Sequence, residues 1–474
     1  MRYISTRGAA PVLEFEETLL TGLARDGGLY VPESWPTLSA DELRSLAGLS
    51  YPELATRVML PFLGNAIEPD IFRALVVDAY SGFDHAAVTP LVQLDHGLWL
   101  MELFHGPTLA FKDVALQLLG RLFDHVLTRR NRRMTVIGAT SGDTGSAAIE
   151  ACRDRSRLDI FMLHPLGRTS PIQRRQMTTV LADNVFNIAI EGTFDDCQDM
   201  VKAMFNDESF RDGLQLSAVN SINWARIMAQ IVYYVATAVA LGAPERALAF
   251  SVPTGNFGNI YAAYGAQAMG VPIERLVVGS NSNDILTRFF RSGTMATTAV
   301  TPTLSPSMDI QVSSNFERLL FDLYHRESGA VADGMNRFRS EGCFSVAPSQ
   351  LDTASALFSA FRVDDAETQA TITETRLRSG QIIDPHTAVG VHAARAARAA
   401  GVVPDSLPLV ALACAHAAKF PDAVEAATGH RPALPARLAD LEQRPERVTV
   451  LPADLGTVQA HIRRYARLGG GQSC

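Results

Sequence analysis

Short apolar segments alternate with longer helical patterns from about Gly97 to the end of the chain. This alternation predicts an α/β fold in which a mostly parallel sheet is covered by helices on both faces. In open sheets of this kind, ligands bind beyond the carboxyl ends of the strands. The predicted strands are Leu98 to Leu103, Met134 to Gly138, Leu158 to Leu163, Val185 to Ile190, Ala247 to Val252, Arg275 to Ser280 and Leu407 to Ala413.

The first part of the chain has a different pattern, which predicts a helical N-terminal domain over residues 1–95. Its helical patterns cover Leu13 to Leu23, Ala40 to Ala47, Tyr51 to Leu63 and Ile71 to Tyr80. The longest apolar run of the chain, Ile227 to Ala243, is shorter than a comfortable membrane span, and we predict a buried helix there. The segment Met295 to Gln311 is rich in Thr, Ser and Pro, which is typical of a surface linker or a functional loop.

Composition limits the kinds of partner that we expect. The 474 residues carry a net charge of -8 with scattered basic residues, which argues against nucleic acid as a partner. The five cysteines are widely spaced and form no C-x-x-C pair, so we expect neither a metal site nor disulfides. The N-terminus lacks the apolar stretch of a signal peptide. We therefore expect a cytoplasmic protein that acts on a small molecule without a membrane, as a monomer or homodimer.

One lysine, Lys112, follows a turn and begins an apolar helical pattern in which Val114, Leu118 and Leu122 share a face. The helix dipole does not explain a cation in a first helical turn, because it favours acids there. Desolvation would lower the pKa of this lysine and make it an amine nucleophile or base. The alternative is an ordinary lysine that pairs with Asp113 or reaches solvent.

Two glycine-rich turns each lie between a predicted strand and a predicted helix. The amides and hydroxyls of Thr140 to Ser146 can bind a carboxylate or phosphate, although Asp143 would repel a nucleotide phosphate. The turn Pro253 to Asn259 is neither a dinucleotide fingerprint nor a Walker A sequence, and it suits one phosphomonoester. Each turn alone can be an ordinary connection. Together with Lys112 they indicate pyridoxal phosphate, which needs an amine, a phosphate cup and an anchor for a substrate carboxylate.

Several ordered motifs carry a resemblance to a known family. They are Ser5-Thr6-Arg7-Gly8, Asp26-Gly27-Gly28-Leu29-Tyr30, the His105 to Asp113 stretch, Thr140 to Gly145, Asn220-Ser221-Ile222-Asn223, Pro253 to Gly258, and Ala415-His416 with Lys419-Phe420. In these motifs the chain resembles threonine synthases, which are fold-type II pyridoxal-phosphate enzymes with a tryptophan synthase β-like fold. The resemblance implies a cytoplasmic lyase of threonine biosynthesis.

After the N-terminal domain, we expect a catalytic region over residues 96–465. A smaller subdomain covers about 130–240, and 96–129 with 241–465 form a larger one. The glycine-rich residues 466–474 are predicted to be disordered.

The resemblance also implies roles for particular residues. Lys112 would form the Schiff base, and Gly255, Asn256, Phe257, Gly258 and Asn259 would hold the cofactor phosphate. Asp143 would lie near the cofactor's 3-hydroxyl. The residues expected at the substrate are His105, Thr140, Ser141, Gly142, Asp143, Thr144, Arg168, Asn220, Ser221, Ser313, Ser314, Asn315 and Arg318. We predict that the segment from Ser313 to Asn315 binds the substrate phosphate, with Arg168 and Arg318 as charge partners. Surface solvation is the alternative explanation of those arginines.

The family converts O-phospho-L-homoserine and water into L-threonine and phosphate. This chain departs from it at Cys414, where a threonine usually faces the pyridine nitrogen, and at Ala417, where a proline is usual. A thiol is a weak donor and acceptor, and Cys414 can also be explained as a small buried hydrophobe. The departure leaves open a phospholyase that gives 2-oxobutyrate. A pyridoxal-phosphate-binding pseudoenzyme is the other alternative, and the presence of Lys112 weighs against it.

Overall fold

The computed structural model describes residues 1–140, 142–219 and 221–467. Its strands are β1 (Arg2–Ser5), β2 (Leu13–Glu14), β3 (Tyr30–Pro32), β4 (Leu91–Gln93), β5 (Leu98–Glu102), β6 (Met134–Ala139), β7 (Leu158–Pro165), β8 (Val185–Glu191), β9 (Leu216–Ser217), β10 (Leu248–Pro253), β11 (Ile273–Ser280), β12 (Thr294–Ala296), β13 (Cys343–Ser345), β14 (Phe358–Arg362), β15 (Leu409–Ala413) and β16 (Thr449–Pro452).

The helices surround these strands in the order α1 (Phe15–Thr21), α2 (Ala40–Ser45), α3 (Tyr51–Leu63), α4 (Pro69–Tyr80), α5 (Lys112–Arg129), α6 (Asp143–Cys152), α7 (Pro171–Thr178), α8 (Phe194–Asn206), α9 (Glu208–Leu214), α10 (Trp224–Ala240), α11 (Gly258–Ala268), α12 (Ile285–Ser292), α13 (Phe316–Leu323), α14 (Ser328–Glu341), α15 (Pro348–Leu357), α16 (Asp365–Ser379), α17 (Pro385–Ala399), α18 (Pro421–Thr428) and α19 (Leu455–Tyr465). Short 3-10 turns cover Pro306–Met308, Ala417–Lys419 and Ala436–Leu438.

Two sheets form the centre of the molecule. The larger has the strand order β14-β11-β10-β15-β5-β4 and is parallel except for the antiparallel edge strand β4. The smaller has the order β16-β8-β7-β6-β9 and is parallel throughout. Every residue of β7 and β10 is buried, as expected for parallel strands covered on both faces. All seven predicted strands are present, with ends that differ by one or two residues, and the predicted fold class is confirmed.

The N-terminal residues contain a sheet that the helical prediction did not include. Strands β1, β2 and β3 form a three-stranded antiparallel sheet beside α1 to α4. These strands have four residues or fewer, too short to show an alternating pattern. Helix α3 has the predicted bounds, and a capping box between Ser50 and Glu53 fixes its first turn.

The predicted division into subdomains differs from the sheet pairing at both ends of the catalytic region. Strand β4 lies within the predicted N-terminal domain but pairs with β5 of the larger sheet. Strand β16 lies within the predicted larger subdomain but pairs with β8 of the smaller sheet. The pairing of β16 with β8 joins segments far apart in the chain and leaves no local signal in the sequence. The domain boundaries therefore stay a prediction.

The C-terminal segment is held against the smaller sheet. The backbone amide of Arg467 donates to Asp159 at 2.8 Å, and its guanidinium contacts the same carboxylate at 2.6 Å. Ala466 and Arg467, predicted as part of a disordered tail, are thus ordered: Ala466 donates its backbone N–H to the carbonyl of Ile462, and the buried carboxylate of Asp159 binds Arg467. The rest of that predicted tail, 468–474, lies outside the described residues.

The apolar run that begins near Ile227 lies in α10, which packs against α3, α5 and α11. Its side chains are buried around nearly the whole circumference, as predicted for a core helix. No helix among the described residues is long and apolar enough to cross a bilayer.

Candidate active site

Lys112 is the first residue of α5 and lies beyond the carboxyl ends of β5 and β15. The preceding residue, Phe111, donates its backbone N–H to the carbonyl of Cys414 at 2.8 Å, which fixes the helix start against the end of β15. The lysine is only 7% exposed. The segment before α5 therefore places an amine inside the molecule, at the edge of the sheet where ligands of α/β proteins bind.

Asp113 closes the preceding turn and does not form the ion pair with Lys112 that was the alternative explanation of this lysine. Its carboxylate accepts hydrogen bonds from the backbone N–H and the hydroxyl of Thr108 at 2.8 and 2.7 Å. A Cβ on Gly106 would lie 2.4 Å from the Asp113 Cβ, so only glycine fits at this approach. Burial raises the pKa of Asp113 to about 6.

The carboxylate that faces Lys112 belongs to Asp143, the first residue of α6. Its Oδ2 lies 3.7 Å from Lys112 Nζ, and its Oδ1 lies 2.8 Å from Lys419 Nζ. Gln173 donates its amide hydrogen to the same Oδ1 at 2.8 Å. Burial alone would raise the pKa of Asp143, but the two lysines outweigh it and hold the pKa well below its usual range. Asp143 is therefore an anion between two cations.

The turn after β10 forms a cup. Phe257 has a φ of +62°, and α11 begins at Gly258 with its first amides free of intrahelical partners. A Cβ on Gly255 would lie 3.1 Å from the carbonyl oxygen of Ser307, and one on Gly258 would lie 3.2 Å from Asn315 Nδ2. Both glycines are thus pressed against neighbouring chain. The cup offers amide donors at the positive end of a helix dipole.

Asn259 adds a side-chain donor to this cup. Its side-chain oxygen accepts hydrogen bonds from the hydroxyls of Tyr233 and Tyr234, the latter at 2.8 Å. Among the described residues its buried Nδ2 has no hydrogen-bond partner. A buried amide donor without a partner costs free energy, so this position fits an anion that accepts from it.

A cavity of about 370 Å³ joins these groups, a size typical of small-molecule sites. The predicted residues that line it are Lys112, Thr140, Asp143, Thr144, Ser221, Gly255, Asn256, Phe257, Gly258, Asn259 and Cys414. Residues not predicted at the site also line it, namely Phe194, Gln198, Arg226, Gln230, the Pro306 to Ile310 turn and His386. The Thr- and Pro-rich segment that begins at Met295 thus supplies part of the wall.

Arg226 is the buried cation that the sequence did not reveal. One terminal nitrogen donates to the carbonyl of Val219 at 3.1 Å, while its Nε has no partner among the described residues. Burial lowers the pKa of Arg226 to about 10, and the side chain keeps its charge at neutral pH. A buried guanidinium with an unpaired donor in a cavity wall can bind a phosphate or carboxylate. The available signal in the sequence was the position of Arg226 directly before the apolar run that begins at Ile227.

Three residues predicted at the substrate lie elsewhere. The buried guanidinium of Arg318 donates to the carbonyls of Tyr30 and Ile222 and to Asn315, all of which lie outside the cavity. Arg168 is exposed. His105 pairs with Glu102 at 2.8 Å and is not among the described residues that line the cavity. Arg318 turns inward because it lies on the face of α13 that packs over Trp224.

Ser313 and Asn315 support the cup from behind. Ser313 donates its hydroxyl hydrogen to the Gly255 carbonyl at 2.7 Å, and Asn315 donates from its backbone and side chain to the Asn256 carbonyl. Ser314 makes only a long 3.4 Å contact with the Asn256 side chain. Ser313 and Asn315 therefore shape the cup at Gly255 to Asn259, whereas the sequence predicted that they contact the substrate phosphate. Predicted residues Ser141 and Asn220 lie outside the described residues, and Gly142 is covered by Gln173.

Cys414 and His386 form the remaining wall. The Cys414 amide donates to the hydroxyl of Thr387 at 3.1 Å, and burial raises the pKa of its thiol, which stays protonated. His386 holds Asp384 at 2.8 Å through Nδ1 and accepts the Ser307 amide at 3.2 Å through Nε2. With Nε2 as an acceptor, the ring carries its proton on Nδ1. The two bonds together connect α17 to the turn beside Gly255.

These groups fit an aldehyde cofactor with one phosphate. The cavity contains a buried amine at Lys112, an amide cup with the unpaired Asn259 donor, and an uncharged thiol at Cys414. Within the described ranges no group of three or more His, Cys, Asp or Glu side chains is arranged to hold a metal ion.

Comparisons with known proteins agree with this arrangement. Three family models match the chain: "Threonine synthase N terminus" over residues 2–80, "Pyridoxal-phosphate dependent enzyme" over 83–337 and "Threonine synthase, C-terminal" over 387–462. The threonine synthase of Pseudomonas aeruginosa is 56% identical over 470 residues, which cover 99% of both chains.

Solved structures give the same result. Pyridoxal-phosphate-bound threonine synthase from Brucella melitensis aligns with a TM-score of 0.96 and 53% identity, covering 98% of this chain and 100% of that one. Threonine synthase from yeast aligns with a TM-score of 0.93 and 40% identity, covering 98% of both chains. The predicted family, cofactor and fold type are confirmed. By its sequence along almost its whole length and by its fold, this chain belongs to the threonine synthase family of pyridoxal-phosphate-dependent enzymes.

Proposed function

We propose that the protein converts O-phospho-L-homoserine and water into L-threonine and inorganic phosphate in the cytoplasm. The observation that carries this proposal is the set of groups in one cavity: the buried amine of Lys112, the cup at Gly255 to Asn259 and the guanidinium of Arg226. The amine and the cup suit the cofactor. The guanidinium of Arg226 would provide a second anion site, for a phosphorylated substrate.

Four parts of the chain would hold pyridoxal phosphate. Lys112 would bind its aldehyde carbon, and the amides of Gly255 to Gly258 with the Asn259 side chain would hold its phosphate. Asp143 would face the 3-hydroxyl, and Cys414 would face the pyridine nitrogen. When bound, the cofactor supplies an electron sink next to the substrate Cα.

Lys112 would move the protons of the reaction. Burial lowers the pKa of Lys112, Asp143 raises it, and Lys419 and Arg226 lower it, so that the pKa lies below its ordinary value. An amine with a lowered pKa can accept a proton from Cα and then from Cβ, and later return protons. Loss of the Cβ proton would allow the γ-phosphate to leave with the electrons of its Cγ–O bond. A proton returned to Cγ would form the methyl group, water would add at Cβ, and a proton returned to Cα would complete threonine.

Arg226 would bind the substrate phosphate together with the hydroxyl of Ser221, which lines the same cavity. Arg226 replaces Arg318 and Arg168 in this role, because the guanidinium of Arg318 is hydrogen-bonded in the core and that of Arg168 is exposed. A buried cation stabilises a dianion as it leaves, because few waters screen the charge. The loop from Thr140 to Thr144 would hold the substrate carboxylate through its amides and hydroxyls.

A phospholyase that releases 2-oxobutyrate is the second candidate, and Cys414 in the cavity wall favours keeping it. A weakly interacting thiol leaves less control over the ring nitrogen than a threonine hydroxyl does. Both activities need Lys112 and release phosphate. They differ only in whether water is added before the product leaves.

The test is product analysis with the purified, cofactor-loaded protein and O-phospho-L-homoserine. The proposal predicts equal amounts of phosphate and threonine, and no phosphate from the Lys112→Ala variant. Equal amounts of phosphate and 2-oxobutyrate would establish the phospholyase. If the wild-type protein released no phosphate, the pyridoxal-phosphate-binding pseudoenzyme would be the remaining explanation.

A further inference from the structure

The sequence contains only three lysines, Lys112, Lys202 and Lys419, and two of them face the same carboxylate. Lys419 follows β15 and is wholly buried. Its Nζ lies 2.8 Å from Asp143 Oδ1 and donates to the Thr108 carbonyl at 2.7 Å. Lys112 Nζ lies 3.7 Å from the other oxygen of Asp143, beyond hydrogen-bond distance.

One carboxylate balances only one of two ammonium groups. The shorter distance and the second acceptor favour the proton on Lys419, since a buried charge is stable only when it is paired and hydrogen-bonded. Lys112 has one contact, and that contact is long. The geometry thus divides the two lysines into a charged one and one that can lose its proton.

We propose that Lys419 is a positioning residue: as the permanent counter-cation of Asp143, it leaves Lys112 as a neutral amine that can react with an aldehyde. The proposal rests on the proposed function, which assigns the cofactor to Lys112. Without Lys419, the nearest cation to the Asp143 carboxylate would be Lys112, and their attraction would hold a proton on Lys112. The resemblance to the family includes Lys419 in a motif but implies no role for it.

The other titratable groups near Lys112 or Asp143 do not stabilise an ammonium at Lys112. They are Arg226 from α10, Cys414 at the end of β15, and His386 from α17, which acts on Asp143. Burial and Arg226 oppose an ammonium at Lys112, and the thiol stays neutral. Asp113 is occupied by Thr108. Asp143 is therefore the anion that decides the charge of Lys112, and Lys419 is its closest cation.

The test measures the reactivity of Lys112 in the full-length chain freed of cofactor. Reductive methylation with formaldehyde and cyanoborohydride between pH 6 and 10, followed by peptide mass spectrometry, gives the free-amine fraction of each lysine. Lys202 is the internal reference, because it is exposed and its one ion pair among the described residues is with Asp199 on the same helix. Folding of each variant is checked by circular dichroism and thermal melting.

In Lys419→Met and Lys419→Gln, we expect the methylation of Lys112 at pH 7 to fall roughly tenfold or more against Lys202. Lys419→Arg keeps the cation, and its methylation should stay within about threefold of wild type. The double variant Asp143→Asn/Lys419→Gln removes both charges and should also stay within about threefold. Unchanged methylation in a folded Lys419→Met or Lys419→Gln variant would overturn the proposal.

The double variant also carries the test if the single neutral variants do not fold. Removing a whole buried ion pair is tolerated better than removing one partner, so this variant should fold. Loss of Lys112 methylation in the folded double variant would show that Lys419 acts only by shaping the turn at Thr108. The measurement needs neither cofactor nor substrate. A failure of the proposed function, seen as missing threonine, is therefore distinct from a failure of this inference.

Discussion

Tyr234 donates its hydroxyl hydrogen to the side-chain oxygen of Asn259 at 2.8 Å, and this bond fixes the direction of the Asn259 amide. The oxygen points into the protein, and Nδ2 remains as a buried donor without a partner among the described residues. The two residues lie on α10 and α11, so the packing of two core helices orients the side chain that we propose as a donor to the cofactor phosphate.

This relationship predicts the effect of changing Asn259 on cofactor affinity. Asn259→Ala removes one donor to a phosphate, and the Kd for pyridoxal phosphate should rise about tenfold or more. Asn259→Asp puts a carboxylate beside the phosphate and should raise the Kd further. Absorbance titration of the apoprotein measures both values. Equal Kd values for Asn259→Asp and wild type would contradict the assigned cup.

Arg226→Met tests the second anion site. Loss of a buried charge-assisted bond should lower kcat/KM for O-phospho-L-homoserine about 10- to 100-fold. The Kd for pyridoxal phosphate should change little, because the cup is separate. The exposed Arg168 supplies the matched control, and Arg168→Met should stay within about twofold of wild type. A large loss in the Arg168 variant alone would reverse the assignment.

Asp113 should make stability depend on pH. Its folded pKa of about 6 is raised above the ordinary value of 3.8, so the folded state binds the proton more tightly. This contribution is fully present below pH 4 and is lost as pH rises through 6. Relative to Asp113→Asn, the wild-type free energy of unfolding should fall by about 2 kcal/mol between pH 4 and 7. Urea unfolding measures it, and a constant difference would contradict the raised pKa.

Gly106→Ala should damage the turn before Lys112. The added Cβ would lie 2.4 Å from the Asp113 Cβ, and the crowding should cost about 1–3 kcal/mol in stability. At exposed Gly82, a Cβ would have no described atom within 4 Å, so Gly82→Ala is the matched control. Thermal melting should show a clear loss for Gly106→Ala alone. Equal melting temperatures would mean that the turn can relax.

Local patterns predicted the elements of this fold well. The seven strands were visible as short apolar runs, and α3 was visible as a helical pattern over Tyr51 to Leu63. Lys112 was predicted in the first turn of a helix and is its first residue. Each of these features depends on neighbours within a few positions along the chain.

The parts that sequence did not reveal depend on contacts between distant residues. Lys419 meets the Thr108 carbonyl across 311 positions, and no spacing rule connects the two. Arg318 was predicted at the substrate because it follows Ser313 to Asn315, but its side chain lies on the core face of α13. Strand β16 joins the smaller sheet from the far end of the chain. Only the assembled structure shows these relationships.

The central claim is that Lys112 is the amine that binds the cofactor. Reduction of the cofactor-loaded protein with borohydride, followed by digestion and peptide mass spectrometry, tests it most directly. The account predicts a single pyridoxyl-modified peptide that contains Lys112. A modified peptide that contains Lys419 or Lys202, with Lys112 unmodified, would contradict it.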